Sequence, residues 1–256
     1  MRKNALFTVL FMILITAIFI SVLAYIHEVS KDRIAENQQI RRIRSVLYAC
    51  DILPHGIAEK DLPSTSQTDD IPWDDEALIP MVQSRTLIVG LPVTPEQRRL
   101  LKNSFLSLQD SVDIVVLLDT RGRIEGYGFD LKGKGLWGTI SAFAVISADL
   151  ERMVGIDFTE QVETPGLGAR ITESGFKYYF RGLTLKGFVD SRTDRPPVVM
   201  VARKERSNLE DPTNSVQAIT GATQTCNGVL NMINTDIAFY IDVLRQNKSY
   251  LETFNR

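Results

Sequence analysis

The segment ALFTVLFMILITAIFISVLAYI, Ala5 to Ile26, carries no charge and matches the ~20 residues a helix needs to cross a bilayer. Thr8, Thr16 and Ser21 within it can return their hydroxyls to carbonyls of the preceding turn, so lipid tolerates them. A cleaved signal peptide is the competing reading, since Val22-Leu23-Ala24 has the form of a cleavage site. The apolar region of such a peptide runs only ~7–15 residues, however, and an uncleaved anchor is expected. Arg2 and Lys3 precede the span, whereas Lys31, Arg33, Arg41, Arg42 and Arg44 lie beyond it, so charge alone does not orient the helix. A short head stays inside readily, and a large domain crosses largely regardless of charge. The expected arrangement is a single-pass protein with its C-terminal domain outside the cytoplasm.

The chain beyond the span is long enough to bury a core: there are 256 residues in all, 44% of them hydrophobic. The formal net charge of -2 argues against nucleic acid as a partner, because binding phosphodiester backbones normally takes a basic excess. The only histidines are His27 and His55, and the only cysteines Cys50 and Cys226. No Cys/His metal site has a recognisable spacing here, and none is expected. Serine–histidine catalysis would have to rely on His55, in a polar stretch. Both cysteines fall on apolar helix positions and are expected as free thiols rather than a disulfide. Any chemistry is therefore expected to come from a bound cofactor.

Val29 to Cys50 reads as a helix continuing from the membrane, with Ile40, Ile43, Leu47 and Cys50 at helical spacing. Asp51 to Pro95 is proline-rich and reads mostly as loop, with a short strand near Arg85 to Gly90. Thr94-Pro95-Glu96 starts a helix toward Leu108, with Thr as cap and Pro in the first turn. Strands are expected at Val112–Asp119, Arg123–Phe129, Trp137–Ser147, Met153–Gln161 and Val198–Ala202. The turns TRG and SADLE between them are too short for parallel crossovers, so the pairing should be antiparallel. From Thr225 to Gln246, Leu230, Ile233, Ile237, Ile241 and Leu244 form one helical stripe. The fold class expected is α+β: an antiparallel-rich sheet with flanking helices behind one transmembrane helix. Its divisions are an anchor over 1–27, a juxtamembrane helix and N-terminal α/β part over 28–111, and a main domain over 112–256.

Three motifs stand out. Gly133-Lys134-Gly135-Leu136-Trp137-Gly138 has the form G-x-G-x-x-G, but dinucleotide binding needs a helix to open out of it. The TISAFAVIS stretch after it is β-branched and reads as a strand, which favours a glycine-rich hairpin. Glu163-Thr164-Pro165-Gly166-Leu167-Gly168 is a turn after a strand, whose glycines permit positive φ or let a flat ligand lie on the backbone. Thr220-Gly221-Ala222-Thr223, with Thr225 just beyond, precedes the last helix. One hydroxyl suffices as a cap, and the others sit where free amides and the helix dipole favour a phosphate.

Taken together and in this order behind an anchor, GKGLWGT, ETPGLG and TGAT resemble the FMN-binding C subunits of sodium-translocating NADH:quinone oxidoreductases. The resemblance runs from the membrane span to the C-terminal helix, and is strongest from Gly133 to Val229. It implies that residues 112–256 are an FMN-binding domain. It also implies FMN held covalently through its phosphate on the last threonine of an [S/T]GAT motif, here Thr223, installed by a flavin transferase. By the same resemblance Thr220, Gly221, Ala222, Thr225, Leu136, Trp137, Glu163, Thr164, Gly166, Leu167 and Gly168 belong to the cofactor site. The implied role is electron relay among other subunits of an ion-translocating complex of the cell inner membrane, without stand-alone turnover. The related G subunits of Rnf electron-transport complexes are the alternative within the family, although they tend to have Gly-Gly-Pro where this chain has Gly135-Leu136-Trp137. A cofactor-free, membrane-anchored binding module is the alternative outside it. The chain departs from the family pattern in one place: Gln217 stands where an Asp usually precedes the [S/T]GAT.

Overall fold

A computed structural model of the protein describes residues 2–54, 56–100, 110–188, 198–201 and 212–255. His55, Leu101 to Gln109 and Ala202 lie outside the described residues, and so does the predicted helix beyond Leu100. The chain divides into two compact units, Met1–Arg41 and Arg42–Arg256.

The described residues of the first unit are all helical, part of α1 (Arg2–Ala49), so the predicted span and its continuation form one unbroken helix. Its window of mean hydropathy 2.9 makes it long and apolar enough to cross a membrane. Leu10, Leu14, Phe19 and Leu23 are among many large apolar side chains it exposes. Ser21 donates to the Ala17 carbonyl at 2.8 Å, which satisfies its hydroxyl within the helix.

In the second unit, β1 (Thr86–Pro92), β2 (Ser111–Leu118), β3 (Ile124–Lys134), β4 (Thr139–Ser147) and β5 (Met153–Glu160) form one antiparallel sheet in chain order. Between β2 and β3 the Asp119 carboxylate accepts the backbone N–H groups of Arg121 and Arg123 at 2.8 and 2.9 Å, and Gly122 takes φ +77°. β4 is the most buried strand because both its faces are covered. Ile140, Ala142, Ala144 and Ile146 join the main core, while Phe143 and Val145 face the other way.

The long helix α5 (Thr223–Gln246) covers the first face, and its predicted stripe of Ile233, Ile237, Ile241 and Leu244 is buried there. Each such side chain contributes roughly 1.5–3 kcal/mol by leaving water. Tyr240 stacks on Phe129 of β3 at 4.1 Å between ring centroids, and its hydroxyl donates to the Asp130 carbonyl. Asp236, a carboxylate within this apolar face, accepts the Lys132 N–H at 3.2 Å. The second face receives Val46, Ala49 and Cys50 from the end of α1, packed on Leu117, Phe143 and Val145. Arg42 adds a guanidinium 4.7 Å above the Phe143 ring and a two-pronged pair to Asp130.

Two elements differ from expectation. The stretch expected as loop before β1 contains α2 (Asp75–Arg85), started by Asp74, which accepts the Glu76 N–H. Pro80 lies inside it and gives up one intrahelical bond, and it was this proline that masked the helix in the sequence. The last predicted strand, β6 (Val199–Val201), stands outside the large sheet and pairs in parallel with a second short strand, β7 (Ser215–Gln217). The Asn234 amide of α5 holds it through both the N–H and the carbonyl of Val198, each at 3.0 Å.

Other expectations hold. α3 (Pro95–Leu100) begins at a reciprocal cap in which Thr94 and Gln97 each accept the other's N–H. The shorter helices α4 (Ser174–Lys177) and α6 (Lys248–Glu252) complete the described elements of this kind. Cys50 and Cys226 are free and buried, and burial pushes the Cys50 thiol up to about 12.

Candidate functional site

The G-x-G-x-x-G stretch forms the hairpin between β3 and β4, closed by the Gly135 N–H on the Gly138 carbonyl at 2.7 Å. No helix opens from it, so the condition for a dinucleotide fingerprint is not met. At its tip Leu136 is 51% and Trp137 68% exposed. Trp137 is thus a surface aromatic, and its indole N–H donates to the Thr164 hydroxyl at 3.1 Å.

The second motif leaves β5 and wraps beneath the hairpin. The Thr164 carbonyl accepts the N–H groups of Leu167 and Ala169, both at 3.1 Å, which bends the loop back on itself. Gly166 sits at φ +75°, where a side chain would be strained. Leu167 is 42% exposed, beside the hairpin's own exposed residues in character but carried by a different loop.

The third motif supplies the start of α5. Gly221 has φ +81°, and a Cβ there would lie 3.1 Å from the Leu167 side chain, so the TGAT turn rests on the second loop. Ala222 is the N-cap residue and offers no side-chain acceptor. Thr223 is the first helical residue and is exposed, as is Thr220. None of the threonines caps the helix through its side chain, Thr225 included. The helix begins two residues earlier than its apolar stripe suggested, so Thr225 lies within the first turn, buried, with its hydroxyl donating to Glu163.

Glu163 is where the three motifs meet. Only 4% exposed, its carboxylate accepts the Thr225 hydroxyl and the Trp137 N–H, the latter at 3.0 Å. Burial raises its pKa, but hydrogen bonds from Thr225 and from the amides of Trp137, Leu136 and Gly138 outweigh this and hold the carboxyl below the usual glutamate range. Gly168 is buried against it, and a Cβ there would come within 2.5 Å of the Thr225 hydroxyl and 2.9 Å of Glu163. A Cβ on Gly135 would likewise lie 2.5 Å from the Glu163 carboxylate. Glu163 and Gly168 therefore lie under the site, whereas Leu136, Trp137, Thr164, Gly166, Leu167, Thr220, Gly221 and Thr223 are on its surface.

These close approaches are what sequence reasoning missed. The signal available was Gly228 inside the best helix of the chain, where a glycine costs about 1 kcal/mol. A Cβ there would fall on the Lys134 carbonyl oxygen, so this glycine lets α5 press against the hairpin base. Beside the TGAT turn lies a cleft of about 400 Å³, lined by Arg170, Phe176, Tyr179, Gln217 and Thr220 among others. Gln217, the departure from the family pattern, accepts the Tyr179 hydroxyl at 2.6 Å on its wall.

The surface suits a flavin mononucleotide in two respects. An apolar shelf of Leu136, Trp137 and Leu167 can carry a flat ring, with glycines leaving the backbone bare. An exposed hydroxyl stands at a helix start that no side chain caps, where a phosphate would meet free amides.

Comparison with known proteins agrees. Residues 135–238 match the FMN-binding domain family. Similar chains include the C subunit of the Na(+)-translocating NADH-quinone reductase of Pseudomonas aeruginosa, 29% identical over 47% of this chain and 44% of that protein. The same subunit of Chlamydia pneumoniae is 32% identical over 45% and 39%, and that of Yersinia pestis 33% over 48% and 44%. The matched region thus spans less than half the length of these relatives. The crystal structure of NqrC from Shewanella oneidensis superposes with a TM-score of 0.60 at 17% identity, covering 84% of this chain and 99% of that one. That of the C subunit from Parabacteroides distasonis gives 0.56 at 19%, covering 83% and 96%. The resemblance to these subunits read from the three motifs is borne out by domain, relatives and fold.

Proposed function

We propose that the protein is a membrane-anchored flavoprotein subunit that relays electrons within an ion-translocating NADH:quinone oxidoreductase, with FMN esterified through its phosphate to Thr223. The observation that carries this is the exposed Thr223 hydroxyl at the uncapped start of α5, beside the surface formed by the two other motifs. FMN would supply one- and two-electron chemistry that side chains such as these do not carry by themselves. The chain's own part is positioning. First-turn amides and the α5 dipole favour the phosphodiester charge, by about 0.3–1 kcal/mol at an exposed site. The apolar shelf limits water at the ring, and Gly221 and Ala222 leave the hydroxyl open to a flavin transferase. Supported by α1 and by the relatives' names, the reading includes a membrane anchor and other complex subunits as partners. It takes the domain to lie on the periplasmic side of the inner membrane, because a large domain crosses largely regardless of charge.

The test is peptide mass spectrometry of chain co-expressed with a flavin transferase. The peptide containing Thr223 should gain the mass of FMN less one water, Thr223→Ala should abolish the gain, and Thr225→Ser should retain it. Covalent flavin persisting in Thr223→Ala would overturn the assignment.

A further inference from the structure

We infer that Glu163 is a positioning residue: an anionic pin that holds the hairpin, the loop of Thr164–Gly168 and the first turn of α5 in one arrangement, without itself touching the cofactor. The assignment to a flavin site rests on the function proposed above, but the pin does not.

Four features of the structure converge on it. The carboxylate is buried and oriented into the fold, beneath the surface that carries Thr223 and Trp137. Its donors come from separate segments: the Trp137 amide on the hairpin and the Thr225 hydroxyl on α5, while Glu163 opens the loop itself. Two glycines, Gly135 and Gly168, come so close that any side chain on either would displace it. Among the described residues no salt bridge reaches it, and the largest influences on its ionisation are burial and hydrogen bonds from neutral donors. The anion is thus satisfied by neutral donors alone, an arrangement in which every donor counts because an unmet buried charge is costly.

Two consequences separate a pin from a bystander. The first is electrostatic. Because its folded pKa is lowered, the carboxylate's contribution is complete above the ordinary glutamate value of about 4.3 and is lost as pH falls through the lower folded value. The second is mechanical. A change at Thr225 must be felt at Trp137, since the two donors share one carboxylate but lie on different elements.

The chain has two tryptophans, Trp73 and Trp137, so ¹⁵N-tryptophan labelling of the full chain in detergent micelles yields two backbone amide signals. The Trp137 amide should titrate with a midpoint below about 4.3 while the Trp73 amide does not follow it. Glu163→Gln should remove that step and shift the Trp137 signal. Thr225→Val should move the midpoint upward, because the carboxylate loses a donor, and Thr225→Ser should restore it. Flavin loading of Thr223 in Glu163→Gln should fall about tenfold or more, as small misplacements of reacting groups do. A folded Glu163→Gln chain with an unmoved Trp137 amide and normal loading would overturn the pin. If Glu163→Gln does not fold, the Thr225→Val midpoint decides: an unchanged value overturns the inference. Should wild-type chain take no flavin while the Trp137 titration appears as described, the flavin reading fails and the pin stands.

Discussion

The indole N–H of Trp137 donates to the Thr164 hydroxyl, so a side chain 68% exposed is steered by the loop that follows β5. An exposed ring held in one orientation has little to give the fold and much to give a ligand. Trp137→Ala should therefore cost less than about 1 kcal/mol of stability, in the range of surface substitutions and single exposed hydrogen bonds. The same change should shift the absorption of the bound flavin clearly. Thermal melts read beside visible spectra check this, and a large drop in melting temperature would show Trp137 to be structural.

The two threonines flanking Gln224 should respond oppositely. Thr225→Val leaves a buried carboxylate oxygen without its donor and should cost about 1–3 kcal/mol. Thr223→Val, at an exposed position that caps nothing, should stay within about 0.5 kcal/mol. Denaturant titration of the two variants side by side is sufficient.

Gly228→Ala replaces a poor helix former with the best one and would by propensity alone gain about 1 kcal/mol. The added methyl must displace the Lys134 carbonyl, and overpacking of this kind costs about 1–3 kcal/mol. A net loss of stability is expected, with reduced flavin loading because the hairpin base shifts. A stabilised variant would mean that α5 and the hairpin separate easily.

Lys177, 1% exposed, donates to Asp157 and to Thr68, each at 2.8 Å, and lies 3.9 Å from the centre of the Tyr48 ring. Lys177→Met strands the Asp157 carboxylate and should cost about 3–5 kcal/mol. Lys177→Met with Asp157→Leu removes both charges and should recover most of that loss. Flavin loading in whatever folds should be unaffected, since this cluster lies apart from the three motifs.

The sheet was legible because alternation is a direct consequence of the pleat: Val112, Ile114 and Val116 lie on one face of β2, as their spacing predicts. The α5 stripe was legible for the same kind of reason. Its start was not, because the helix runs two residues beyond its apolar pattern and a threonine looks the same as a cap or as a donor to a carboxylate. α2 was hidden by Pro80, and β7 by having only three residues. At the site, Thr223, Trp137 and Leu167 are recognisable by motif. That Glu163 lies beneath them is long-range information: it depends on which strands become neighbours, and no local pattern at residue 163 encodes it.

The packing of Val46, Ala49 and Cys50 on Phe143 has a practical corollary for anyone shortening this protein. The last turns of α1 are the lid of the sheet's second face, and Arg42 reaches further along it to Asp130. A soluble fragment trimmed at the end of the helix would present Leu117, Phe143 and Val145 to water and should aggregate. One that starts a few residues before Arg42 discards the apolar span yet keeps that lid, and is the boundary to choose for crystals or spectroscopy.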